Sequence, residues 1–277
     1  MKPAFLILLA TLGATAQDTQ PGQCVNISQE SQSTLGASLA AQIQRTTTPI
    51  DNAAVRDYVE RIGRRLAAQL PEDPSAYTFA VIAGQGNNTT HESLALPGGY
   101  VFVPAGLILA AQDEAEFAGM LAHSIAHVSE QQFRCGTLGT IPVIFMGGWT
   151  GYGAAQSLLL PAAGLKSQRG FEMDADRLAI KLTSSAGFDP AALVRYIGRV
   201  QQPDARSPKV FATLPTREER VSAMEAAIQA LPAQNYAVPD ADEFARIQAE
   251  VRSATPAKLP SINPDAVTDR PTLKRRN

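Results

Sequence analysis

Histidine, cysteine and tryptophan are scarce in this chain of 277 residues, which has three, two and one of them. An excess of charge is also missing: 24 basic residues face 26 acidic ones, for a formal net charge of −2 and a pI near 6.0. With no long-range field to gather phosphate backbones, we expect no nucleic-acid function. The two cysteines, Cys24 and Cys135, permit one disulfide if the chain is exported to an oxidising compartment. That bond would close a long loop between an N-terminal arm and the end of the histidine segment. The sequence leaves this pairing and two separate thiols equally open.

A clean membrane span is lacking too. The chain starts MKPAFLILLATLGATAQ, with Lys2 as a positive start, an apolar run from Phe5 to Leu12, and small residues at Ala14-Thr15-Ala16. This is the pattern of a secretory signal over residues 1–16, followed by a linker over 17–30. The run is short for a membrane span, so cleavage and export to a periplasmic or secreted location is the expectation, and an uncleaved membrane anchor the alternative. Cys24 lies well past the cleavage site, against a lipid-modified N-terminus. From Cys135 to Leu165 no residue is charged, but Gly147, Gly148, Gly151, Gly153 and Pro161 interrupt the stretch. Buried or interfacial helices fit this better than a bilayer crossing, with membrane proximity as the other reading.

What is present is ordinary globular composition, 45% hydrophobic and 18% charged, enough for one sizeable core with appendages. Helical periodicity runs over 31–46 and 51–69, where Val55, Tyr58, Val59, Ile62 and Leu66 gather on one face and Asp51 is the expected N-cap. Tyr77 to Ile82 reads as a strand. Ser93–Leu96 and Tyr100–Val103 read as extended segments around a Pro97-Gly98-Gly99 turn. Asp113, Glu114 and Glu116 then open a helix to about Gln132, where acidic residues suit the positive end of the helix dipole. Further helices are expected over 167–185, from near Pro190, and over 217–231. Residues 232–277 form a C-terminal extension, expected to be mobile beyond about 254.

Within GMLAHSIAHVSEQQ, His123 and His127 are four residues apart. On an α-helix this is about 6 Å of rise and about 40° of rotation, so both imidazoles leave the same side. Two ring nitrogens can then hold one zinc at about 2.0–2.1 Å each. The helix is otherwise small and apolar, and inward imidazoles need an acceptor, a water or a metal. With one histidine left, a carboxylate is the expected third ligand. Glu172 in GFEMDADRLAIKL is the strongest candidate, and Asp176, one turn on, is placed to accept a hydrogen bond from a ligand imidazole. Two imidazoles and a carboxylate also suit iron, manganese or cobalt.

LALPGGYVFVPAGLI, HSIAH, EMDADR and TLPTREER, in unbroken order over roughly residues 31–230, resemble the gluzincin metallopeptidases that include the HtpX, Oma, BepA and CAAX prenyl protease types. The resemblance implies an α+β, mostly helical zincin-like metallopeptidase fold, with a small β-sheet beside the metal-binding helix, occupying residues 31–231. It implies zinc on His123, His127 and Glu172. It also implies that an extended or unfolded polypeptide pairs along the strand carrying Leu96, Pro97, Gly98 and Gly99.

The pattern breaks where the chemistry is most demanding. The family's HExxH glutamate is the general base, and Ser124 stands in its place; a hydroxyl cannot hold a proton near neutral pH. Relatives read THP where this chain has Leu214, which removes a second polar group. Relatives commonly read NAFALPGG where this chain reads ESLALPGG, so Glu92 occupies the usual asparagine position and is a candidate substitute base. Glu130, close after His127, is another spare carboxylate and is expected to be solvated near the helix end; His91 could be a fourth ligand, with an ordinary loop histidine as the expectation. The expectation is a zinc metallopeptidase-like protein with impaired catalysis; the alternatives are a silent zinc-bound peptide-binding or chaperone-like factor and a metal-free helical scaffold.

Overall fold

The computed structural model of the chain describes residues 25–26, 28–83, 92–129, 135–136, 162–201, 215–236, 238 and 240–256. The signal segment, Cys24, His91, Glu130, Leu214, most of the uncharged 135–165 stretch and the tail after 256 lie outside the described residues. Among the described residues no helix is long and apolar enough to cross a membrane.

Helix α1 (Gln29–Thr46) leads through strand β2 (Thr48–Pro49) into helix α2 (Ala53–Ala67). The stripe expected on α2 is the buried one: Val55, Val59, Ile62 and Leu66 are fully enclosed and Tyr58 nearly so. Each such aliphatic side chain contributes about 1.5–3 kcal/mol of burial. The N-cap is Asn52, not Asp51. Asn52 Oδ1 accepts from the Val55 amide, and its Nδ2 donates to Glu250 at 2.9 Å, a tertiary contact that favours the amide side chain.

Strands β3 (Thr78–Ala83), β4 (Leu94–Leu96) and β5 (Tyr100–Pro104) join β2 in a mixed sheet of order β2-β3-β5-β4. β3 and β5 run parallel, and β4 folds back antiparallel on β5 with Leu94 opposite Phe102. The strand period of two divides the sheet's side chains between two cores. Ile82, Leu94, Leu96 and Phe102 pack under Ala40 and Ile43 of α1, whereas Val81, Val101 and Val103 face the main core. β4 is an edge strand. A further two-stranded ribbon pairs β1 (Val25–Asn26) with β6 (Cys135–Gly136), Asn26 opposite Cys135.

The turn between β4 and β5 requires glycine. Gly99 has φ +89°, and a Cβ there would lie 2.1 Å from the Ala76 carbonyl oxygen. Gly99→Ala is therefore expected to cost about 3 kcal/mol or more, read as a lower urea midpoint at unchanged slope.

After β5 come helices α3 (Ala105–Ala110), α4 (Glu114–Ser129), α5 (Ala162–Ser185), α6 (Ala191–Val200), α7 (Arg217–Gln229) and α8 (Ala241–Ala254). α4 is the axis of the molecule, buried from Glu114 to His127. Its small residues let neighbours close in: a Cβ on Gly119 would meet Leu193 Cβ of α6 at 2.9 Å. α8, which periodicity in the C-terminal extension did not bring out, buries Phe244, Ile247 and Val251 in this same core. There Gln248 Nε2 donates to the Ile108 and Ala111 carbonyls. The architecture is α+β and mostly helical, as the family resemblance implied.

Candidate metal centre

His123 and His127 both point from buried α4 toward α5, with 4% and 6% of their surface exposed. Their Nε2 atoms are 2.9 Å apart and the rings meet edge to face. Glu172 of α5 approaches both, placing Oε2 3.5 Å from His123 Nε2 and Oε1 3.5 Å from His127 Nε2. One turn along α5, Asp176 is fully buried, with Oδ1 2.9 Å from His123 Nδ1. The contact sets the His123 ring so that its Nε2 edge faces His127 and Glu172.

Charge in this pocket is closely compensated. Burial alone would push the His123 imidazole down, but Asp176 and Glu172 outweigh it and hold it up at about 9. Burial likewise pushes Glu172 up, against His127, His123 and Arg220, which bring its carboxyl down to about 2. Asp176 lies well below the usual carboxylate range: burial opposes this, and the Arg220 guanidinium prevails. Arg220 of α7 grips Asp176 with two hydrogen bonds, Nε to Oδ2 at 2.8 Å and Nη2 to Oδ1 at 2.7 Å.

A metal fits this donor set. Tetrahedral zinc with bonds of about 2.0–2.1 Å sets its ligand atoms about 3.3 Å apart. The separations of 2.9, 3.5 and 3.5 Å among the two Nε2 atoms and the Glu172 oxygens bracket that value, so shifts of a few tenths of an ångström suffice. Among the described residues His123, His127 and Glu172 are the one cluster of His, Cys, Asp or Glu able to hold a metal ion.

Comparison with known proteins matches the profile of Peptidase family M48 to residues 49–228. The chain belongs to Peptidase family M48. Similar curated relatives include the putative beta-barrel assembly-enhancing protease of Vibrio cholerae, 27% identical over 225 residues, covering 74% of this chain and 45% of that protein. The beta-barrel assembly-enhancing protease of Yersinia pestis is 25% identical, covering 92% of this chain and 57% of its own. That of Escherichia coli K12 is 26% identical, covering 79% and 50%. The chain thus spans about half the length of these relatives. Membership in M48 implies a divalent metal, and the HtpX, Oma and BepA resemblance stands.

Around this M48 centre, the remaining residues singled out in the sequence sort by position. Ser124 is 2% exposed and its hydroxyl donates to the Met120 carbonyl one turn back, at 3.1 Å. Glu92 sits just before β4, and its charge acts on both Arg220 and buried Tyr196. In the Leu96-Pro97-Gly98-Gly99 segment, the turn is packed under α1, where a Cβ on Gly36 would lie 1.7 Å from the Pro97 carbonyl oxygen. The far edge of Leu94–Leu96 carries no paired strand among the described residues.

Arg220 was not assigned a role from the sequence, although it lies in the TREER stretch. Its signal was positional: Arg220 shares the inward face of α7 with buried Met224 and partly buried Ile228, four and eight residues on. An arginine on an apolar stripe needs a buried anion.

Proposed function

We propose that this M48 chain is an exported zinc protein that grips extended or unfolded polypeptide and hydrolyses it slowly or not at all. His123, His127 and Glu172 hold the ion, with Asp176 orienting His123. Bound zinc supplies a Lewis acid that polarises a carbonyl and acidifies water. The observation that carries the reading is the side chain after the first histidine: Ser124 donates a hydrogen bond to the Met120 carbonyl and offers no carboxylate to take up a proton. Export rests on the pattern of residues 1–16. The polypeptide class rests on the edge of β4, which carries no paired strand among the described residues and to which an extended segment can add by backbone hydrogen bonds. The relatives named for enhancing β-barrel assembly suggest unpaired strands of envelope proteins as the cargo.

Purified protein is expected to carry about one zinc and to retain a fluorescent unfolded polypeptide without cleaving it. Rapid metal-dependent cleavage by the wild type would overturn the silent reading.

A second reading is favoured by Glu92, whose carboxylate replaces an amide in relatives and whose charge reaches Arg220 beside the ligands. If Glu92 serves as the base from the strand side, Glu92→Gln should reduce residual cleavage about 10²-fold or more while zinc content stays constant. Unchanged residual cleavage in Glu92→Gln would dismiss that rescue.

A further inference from the structure

We infer that Arg220 is a positioning residue of the metal centre, acting through Asp176 on the ligand His123. The inference rests on the zinc reading above. Asp176 is entirely buried, and its two oxygens are divided between two neighbours: Oδ2 accepts from Arg220 Nε, while Oδ1 accepts from Arg220 Nη2 and lies 2.9 Å from His123 Nδ1. Both guanidinium bonds fix the plane of the carboxylate, as the parallel fork of arginine does and a lysine ammonium does not. The plane of the carboxylate in turn fixes the ring of His123.

The guanidinium is itself held from a third side, where its Nη1 donates to Gln201 Oε1 at 3.2 Å, at the end of α6. Its helix is anchored at the first turn by a capping box of Thr216 and Glu219, and Glu219 also pairs with Arg169 of α5. The chain of contacts therefore runs from α6 and α7 through α5 to the imidazole on α4. Arg220 also lies 4.0 Å from Glu172 Oε2, close enough to act on a second ligand by charge.

Positioning and plain electrostatics make opposite forecasts. A buried cation beside a dication's site repels the metal, so charge alone says that removing Arg220 should tighten zinc binding. Positioning says that Asp176, left buried without the fork that holds its plane, swings away, and His123 loses its orientation. Loss of such outer contacts to a ligand histidine typically weakens metal binding about 10- to 100-fold.

The test measures zinc affinity of the full chain by competition with a chromophoric chelator, together with the visible spectrum of the cobalt(II)-loaded protein. Arg220→Met is expected to bind zinc about 10- to 100-fold more weakly and to show altered cobalt bands, with Arg220→Lys between it and the wild type. Arg199→Met is the control for general destabilisation. Arg199 pairs with buried Glu116 at the other end of α4, and its loss should leave both readouts unchanged.

Equal or tighter zinc binding by Arg220→Met overturns the inference, and so does an equal loss in Arg199→Met. A wild type that binds no zinc overturns the metal reading itself, a different result from a wild type that binds while Arg220→Met binds equally. Should Arg220→Met fail to fold, Arg220→Lys decides: wild-type affinity and cobalt bands in that variant overturn the inference.

Discussion

Ser124→Glu is expected to raise metal-dependent cleavage of an unfolded polypeptide by about 10²- to 10⁴-fold, the range contributed by a positioned general base. The candidate ligands His123, His127 and Glu172 already stand at separations a zinc ion would accept with small shifts. What the serine lacks is a group that stays ionised near neutral pH. Its one proton is committed to the Met120 carbonyl, and what remains is a weakly basic hydroxyl oxygen. A glutamate reaches two bonds further. The measurement is cleavage rate at fixed zinc occupancy. If Ser124→Glu retains full zinc and shows no gain, then something other than the base is missing, and Leu214, where the family resemblance implies a histidine, becomes the first suspect.

Zinc is expected to stabilise the wild type strongly and Glu172→Gln hardly at all. An ion at about 100 times its dissociation constant, binding only the folded state, adds about 2.7 kcal/mol. For a folded unit of this size that is a rise in Tm of about 5–10 °C. Glu172 is the one anionic donor of the three, and its carboxyl is held ionised down to about 2. The amide that replaces it has no charge to offset the desolvation of the ion. Thermal melts with and without zinc, each against a chelator blank, read the difference. An equal zinc shift in both proteins would remove Glu172 from the ligand set and with it the assignment of α5 as the third-ligand helix.

Much of this could be read along the chain because it depends on local repeats. The 3.6-residue stripe of α2 and the aromatic and β-branched enrichment of β3 and β5 announce themselves over single segments, and His123 with His127 needs only one helix turn to share a side. Asp51 against Asn52 shows the limit of local reading: both residues cap well, and the choice fell to a partner, Glu250, nearly 200 positions away. α8 was missed for a related reason. Phe244, Ile247 and Val251 form a thin stripe in a polar segment, and it becomes core only because α2 and α3 supply the opposing surface.

The amino-acid sequence by itself determined the family, the two imidazoles on one face, the acidic pair Glu172 and Asp176 on another, and the absence of a carboxylate at position 124. Tertiary structure alone decided that these two faces meet at ligand distance, that the Pro97-Gly98-Gly99 turn is roofed by α1 while β4 lies at the edge of the sheet among the described residues, and that Arg220 turns inward to Asp176. The reason is physical. Backbone geometry makes spacing along one helix a short-range property, but which faces of two helices come together is set by packing among residues remote in the chain.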